Sequence, residues 1–233
     1  MSIENIVKEA LSDTRRYFNL KTQNKCYEES ARLELPEHKR QFYLPEKIEE
    51  RYALLSKSRS QMTYSQSPYK KNHILESTQG NDHVGNCDEY SSKAFKCLIK
   101  KSRLILEIYQ REFDISIIHI TSPSTQFNHG IVMISSNYLN QFTDRENLPD
   151  LFNRYHDSEI WICDPWANIA CLSYNYPIEW KNKMFKWDGK GKLLNSPGGI
   201  LEPTDFKIVT LIGNGIKSVA FNQNVKFSKR HIR

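Results

Sequence analysis

No apolar run in the 233 residues approaches the roughly 20 needed to cross a membrane as a helix. The longest, LILEIY and ISIIHI, are of strand or short-helix size. The first 18 residues carry acidic side chains early and lack an apolar central stretch, so no secretory signal peptide is expected there. Cysteine is sparse and odd in number, with only Cys26, Cys87, Cys97, Cys163 and Cys171. That argues against a disulfide framework and for reduced thiols. DGKGK at 188–192 lacks the Gly-x4-Gly-Lys-Ser/Thr spacing of a phosphate loop. There is no dinucleotide fingerprint and no serine nucleophile elbow. His73, His83 and Cys87 are spaced H-x9-H-x3-C, without the close pairs of a zinc site. Neither a metal nor a cofactor is therefore expected, and no internal repeat or low-complexity segment is visible.

What is present is the composition of a globular chain. At 39% hydrophobic and 26% charged residues, it has enough apolar material to exclude disorder. The net charge of +6 is mild, because Lys and Arg alternate with Glu along most of the sequence. The tail KFSKRHIR is the one basic cluster, and a solubilising terminus explains it as well as a ligand does. No nucleic-acid motif accompanies the charge, so nucleic acid is not an expected partner, and neither is a membrane.

Apolar positions at helical spacing predict helices over 3–18 and about 46–60, the second with Ile48, Tyr52 and Leu55 on one face. Residues 61–84 are polar and read as a long connection with at most a short element in it. A helix follows over about 87–101, with a continuation toward Tyr109. The runs at 113–120, 129–135 and 159–164 are short, β-branched and apolar, as strands are. A further strand is expected at 206–212, turning at Asn214-Gly215 into KSVAF. Helices first, then one helix and a set of antiparallel strands, is α+β grammar. The expected division is an N-terminal helical extension over 1–75 and a catalytic domain over 76–233.

The chemistry-bearing stretch is GNCDEYSSKAF. Cys87 opens the helix, Asn86 is a plausible N-cap, and Asp88 and Glu89 fall in the first turn. Free N–H groups at a helix N-terminus favour a thiolate and help hold an oxyanion. The plain alternative is a small core cysteine. A nucleophile needs a base and a group to orient it. His129 opens a strand beside Gly130, which leaves room for close approach. Asp164 ends a strand before Pro165, between Trp161 and Trp166. It is either the orienting acid or an Asp-Pro turn residue. His119, on the face of Ile115 and Ile117, reads as a packed histidine.

These motifs resemble the papain-like/transglutaminase-like superfamily. GNCDEYSSKAF is similar to the nucleophile helix of its bacterial effector and toxin members, NHGIVMI to their histidine strand, and WICDPWA to their Asp-Pro-Trp strand end. The resemblance spans roughly residues 80 to 170, and Asp88 stands where a glycine is often found. It implies a papain-like core with the nucleophile helix packed on an antiparallel sheet. Cys87 would be the nucleophile, His129 the base and acid, and Asp164 the orienting residue. The members it is nearest to are secreted glutamine deamidases acting on host proteins, then effector proteases. The implied partner is a host protein substrate. The implied route runs from the bacterial cytoplasm to the host cytosol. A second oxyanion donor is also implied, for which Gln79 and Asn81 are the nearby amides. Deamidation, proteolysis and transglutamination stay open, as does a non-catalytic binding module.

Overall fold

The computed structural model describes residues 1–63, 66–122, 127–135, 146–147, 159–196 and 199–226. A six-stranded antiparallel sheet of order β4-β9-β2-β3-β5-β6 organises it. Its strands are β2 (Phe113–Thr121), β3 (Asn128–Ser135), β4 (Glu146–Asn147), β5 (Ile160–Asp164), β6 (Ile169–Leu172) and β9 (Ile216–Val225). A smaller antiparallel sheet joins β1 (Lys25–Tyr27), β7 (Lys192–Ser196) and β8 (Gly199–Leu201). Helices and antiparallel sheets in this arrangement make the chain α+β.

Strand periodicity explains the layering. Successive side chains alternate faces, and here both faces are apolar. Ile115, Ile117, Val132, Ile134, Trp161 and Cys163 pack with helices α1 (Ile3–Tyr17) and α6 (Cys87–Lys100). Ile118, Ile120, Ile131, Met133, Ile160 and Ile162 pack on the other face with Trp166, Tyr176, Trp180, Met184 and Trp187. Four of those come from α8 (Tyr176–Asp188), which has no clear signal in the sequence beyond Pro177 in its first turn. His129 and Asp164 fall in the phase of the tryptophan-rich face.

The expected division at residue 75 does not separate two packing units. Ile3, Ile6, Val7 and Ala10 are buried in the same cluster as Ala94, Phe95 and Leu98 of α6. Strand β1 pairs with β7 along Lys25↔Leu194, Cys26↔Leu193 and Tyr27↔Lys192. A short apolar helix cannot bury its face alone, so the N-terminal segment completes the core. Between lie α2 (Glu29–Leu33), α3 (Glu37–Arg40) and α4 (Pro45–Arg59).

Two expected elements differ. The polar stretch 61–84 contains α5 (Pro68–Gln79), opened by Ser67, which caps the Lys70 N–H, and Pro68, and closed by Gly80 at φ 60. Those are standard boundary residues, but the interior lacks an apolar stripe. The expected strand at 206–212 is instead two short helices, α9 (Phe206–Val209) and α10 (Leu211–Asn214). Asp205 caps the first by accepting from the Lys207 N–H at 2.9 Å. No hairpin turn forms at Asn214-Gly215. Gly215 has φ −73, and a Cβ there would lie 2.4 Å from both Ile120 and the Leu211 carbonyl. The helix α7 (Ser102–Tyr109) continues from α6 as expected.

If α1 belongs to the core, Ile6→Ala costs about 2–5 kcal/mol, as large-to-small core changes do. Urea unfolding should place it beside Leu98→Ala. A loss below about 0.5 kcal/mol, typical of a surface site, would make α1 an appendage after all.

Candidate active site

Helix α6 runs along one face of the large sheet, and its first turn reaches the end where β3 begins. A capping box sets that turn: the Asn86 side chain accepts from the backbone N–H of Glu89, and Glu89 Oε2 accepts from the Asn86 N–H at 2.8 Å. Glu89 is buried, and Arg59 of α4 grips it through Nε and Nη2, both at 2.8 Å. Thr22 donates to Asn86 Oδ1 at 2.8 Å. Asp88 receives Lys71 at 3.0 Å and faces His119 Nε2 at 3.2 Å. Burial alone would raise the Asp88 carboxyl; those two partners hold it well below the usual carboxylate range. His119 thus sits against the first turn of α6.

Gly130 is where helix and strand meet. A Cβ there would lie 3.1 Å from Ser91 Oγ and 3.4 Å from the Cys87 carbonyl. The room that glycine leaves is filled by the helix itself. His129, one residue earlier, is brought beside Cys87.

The second pair is hydrogen-bonded. His129 Nε2 and Asp164 Oδ2 are 2.8 Å apart, with both side chains fully buried. Asp164 Oδ2 also accepts from the Tyr176 hydroxyl at 2.9 Å, and Oδ1 from the Ala167 N–H at 2.9 Å. Burial alone would raise the Asp164 pKa; His129 and these donors bring it below its ordinary value. Burial alone would lower His129. The charge and hydrogen bond of Asp164, with the Cys87 sulfur, reverse that and raise it to about 9. With Nε2 taken by Asp164, Nδ1 is the nitrogen left for the thiol. It is buried and makes no hydrogen bond of ordinary geometry within the protein.

An aromatic box excludes water from this pair. Trp166 and Trp180 flank the imidazole at ring separations of 5.0 and 4.9 Å. Trp166 is held by residues of the N-terminal segment: its Nε1 donates to Asn24 Oδ1 at 3.1 Å, and the buried Lys25 donates to its carbonyl. The Lys25 Nζ lies 3.7 Å from the Trp166 ring and 4.2 Å from that of Trp187, and burial pulls its pKa well below the ordinary lysine value. Trp161, expected beside Asp164, belongs to the opposite face.

Cys87 is partly exposed, as are Cys26, Cys97 and Cys171. All five cysteines are free, and Cys163, beside Asp164 in sequence, is buried. The Cys87 thiol opens on a cleft of about 540 Å³ lined by Gln23, Asn24, Tyr52, Arg59, Asn128 and Asn195, among others. Its sulfur lies 4.0 Å from the Asn128 carbonyl. Tyr52, expected on the buried face of its helix, is exposed and borders this cleft. Neither nearby amide faces it. Gln79 donates to Ser58 Oγ and accepts from the Val84 N–H, so both its ends are occupied. Asn81 lies outside, its carbonyl accepting from Asn19. The sequence gives no hint that Gln23 and Asn24, more than sixty residues upstream, line the cleft.

Among the described residues, no three His, Cys, Asp or Glu side chains are grouped to hold a metal ion. The His83 ring lies tilted against that of Tyr17, with 3.9 Å between centroids. His156, His231 and the tail from residue 227 lie outside the described residues. No described helix is long and apolar enough to cross a membrane. Comparison with protein-family models, curated proteins and solved structures returned no match.

The buried pair makes stability depend on pH in a defined direction. His129 is raised, so its contribution is full below the ordinary value of 6.5 and is lost as pH climbs through about 9. Asp164 is lowered, so its contribution is present above 3.8 and is lost on acidification. In Asp164→Asn the imidazole loses its main support and keeps only the Cys87 sulfur against the burial penalty. Urea unfolding from pH 6.5 to 9 should show wild-type stability falling and the variant's curve flattened. Parallel curves would mean that the pair does not carry this charge.

Proposed function

We propose that the chain is a cysteine hydrolase built on a papain-like core, with Cys87 as nucleophile, His129 as base and acid, and Asp164 as the orienting carboxylate. One observation carries the reading: a buried His–Asp pair lies beside a cysteine that stands at a helix N-terminus and opens on a cleft. A structural cysteine needs no polar pair in a tryptophan box. A nucleophile needs both an oriented base and access to substrate.

In the proposed cycle, His129 accepts the thiol proton, and the sulfur attacks a carboxamide carbonyl. The Cys87 N–H at the helix start steadies the oxyanion. Gln23 and Asn24, both on the cleft, are the candidates for a second donor. The C–N bond breaks and ammonia leaves with the proton from His129, which yields a thioester. Water, deprotonated by His129, releases the carboxylate and restores the thiol. The net change is amide plus water to acid plus ammonia. Asp164 keeps Nε2 protonated, so that Nδ1 faces the thiol, and stabilises the imidazolium.

The choice of a protein glutamine as substrate rests on the resemblance of GNCDEYSSKAF, NHGIVMI and WICDPWA to the effector deamidases, and so does the assignment to a secreted effector acting on a host protein. The amide-rich cleft is compatible with a polar substrate. Peptide hydrolysis and amine transfer share the first half of the cycle and differ only in what leaves and what enters.

The test is incubation of wild type, Cys87→Ala and Asp164→Asn with host-cell lysate, followed by ammonia assay and peptide mass spectrometry. Wild type should convert a glutamine to glutamate in a discrete protein. Cys87→Ala should be inactive, and Asp164→Asn slower by about 10² or more, as loss of an orienting acid costs in the serine triad. New peptide termini would reassign the chain as a protease. Unchanged conversion by Cys87→Ala would remove the catalytic reading.

A further inference from the structure

The described walls of the Cys87 cleft are mostly uncharged, with side-chain amides from Gln23, Asn24, Asn128 and Asn195. Two charged side chains stand among them, Asp88 and Arg59. They differ in what they can still offer a ligand.

Asp88 is occupied within the protein. Its Oδ2 accepts from the buried Lys71, and its Oδ1 faces His119 Nε2. Arg59 is only half occupied. Its Nε and Nη2 each donate to one oxygen of Glu89, which is 2% exposed. This side-on edge of the guanidinium therefore points into the protein. An arginine carries five N–H donors, so three remain, both on Nη1 and the second on Nη2. Nη1 has no hydrogen-bond partner among the described residues. The Arg59 side chain is nonetheless 45% exposed.

The guanidinium is held close to the nucleophile. Glu89, its anchor, lies in the first turn of α6 with Cys87. Burial alone would lower the Arg59 pKa; Glu89 raises it well above its ordinary value, and Cys87 and Asp88 add to that. Because a buried carboxylate already fixes the fork, little side-chain freedom is lost when it takes a second partner. The amides on the other walls both donate and accept, so they do not tell a carboxylate from a carboxamide. A guanidinium only donates, and it does.

We propose that Arg59 is a specificity-determining residue of this cleft. Its end-on edge, Nη1 with the second N–H of Nη2, takes the carboxylate of an acidic side chain next to the amide that Cys87 attacks. This rests on Cys87 being the nucleophile, and it adds the substrate class, an acidic segment of protein. Glu89 offsets the charge of Arg59, and Lys71 that of Asp88. The preference therefore comes from directed donors and is modest in size.

The test treats the full chain with the α-amides of N-chloroacetyl-aspartate and N-chloroacetyl-glutamate. The α-amides of N-chloroacetyl-asparagine and N-chloroacetyl-glutamine are their uncharged isosteres. Displacement of chloride by the Cys87 sulfur is followed by peptide mass spectrometry, with 2-mercaptoethanol as the reference thiol. For at least one acid–amide pair, the ratio of rates at Cys87 should exceed that at the reference by about three-fold or more, the upper range for a partly exposed charge pair. Arg59→Gln should bring the ratio back to the reference value. Loosening of the first turn of α6 would slow both members of a pair alike and leave the ratio unchanged, so the ratio separates recognition from structure. If Arg59→Gln does not fold because Glu89 is left unpaired, Arg59→Gln combined with Glu89→Gln removes both charges and carries the test. A wild-type ratio at or below the reference for both pairs would overturn the proposal. So would an excess that survives loss of Arg59. Rates with the uncharged reagents in wild type and His129→Ala report on the nucleophile separately, so the catalytic reading and the role of Arg59 can fail independently.

Discussion

The buried bond between His129 and Asp164 is the constraint around which the rest of the site is arranged. Two ionisable groups, both fully buried and 2.8 Å apart, survive in an apolar interior only if each satisfies the other and the leftover lone pairs are occupied. The Tyr176 hydroxyl and the Ala167 N–H occupy them. The tryptophan box keeps water from competing. Removing either member would leave a charge or a polar ring stranded among aromatics.

That requirement explains why the N-terminal segment is not an accessory. Residues 22–25 tie the first turn of α6 to the aromatic box, through Thr22 on Asn86, Asn24 on the Trp166 indole and Lys25 on the Trp166 carbonyl. Helix α4 adds Arg59, which fixes the capping carboxylate of Glu89, and Tyr52, which borders the cleft. The cleft is therefore assembled from both ends of the chain. Its placement of Cys87 depends on local capping, on the absence of a side chain at Gly130, and on long-range hydrogen bonds from residues sixty positions away.

Legibility in the sequence followed the range of the interactions. Elements set by local signals read well: the apolar stripe of α1, the Asn86 cap, and the β-branched strands β2, β3 and β5. The period-2 pattern also placed His119 on the face of Ile115 and Ile117. What depended on distant packing did not read. The α5 interior has no stripe, because its buried face includes Lys71, Asn72 and Gln79, held by hydrogen bonds. The run FKIVTLI has strand composition, but Asp205 caps it and its apolar residues pack against α8. Cys87, His129 and Asp164 stand out by position at element ends. Tyr176, Trp180, Lys25 and Gln23 carry no such mark, since only the fold brings them to the site.

The most direct test is the pH dependence of Cys87 alkylation by iodoacetamide, read by peptide mass spectrometry beside Cys97 and Cys163 in wild type and His129→Ala. A working Cys87–His129 pair predicts fast reaction of Cys87 well below pH 8, lost in the variant, while the buried Cys163 stays inert. Slow reaction of Cys87 in both proteins, with the profile of an ordinary thiol, would contradict it and leave the cleft without a nucleophile in the free protein.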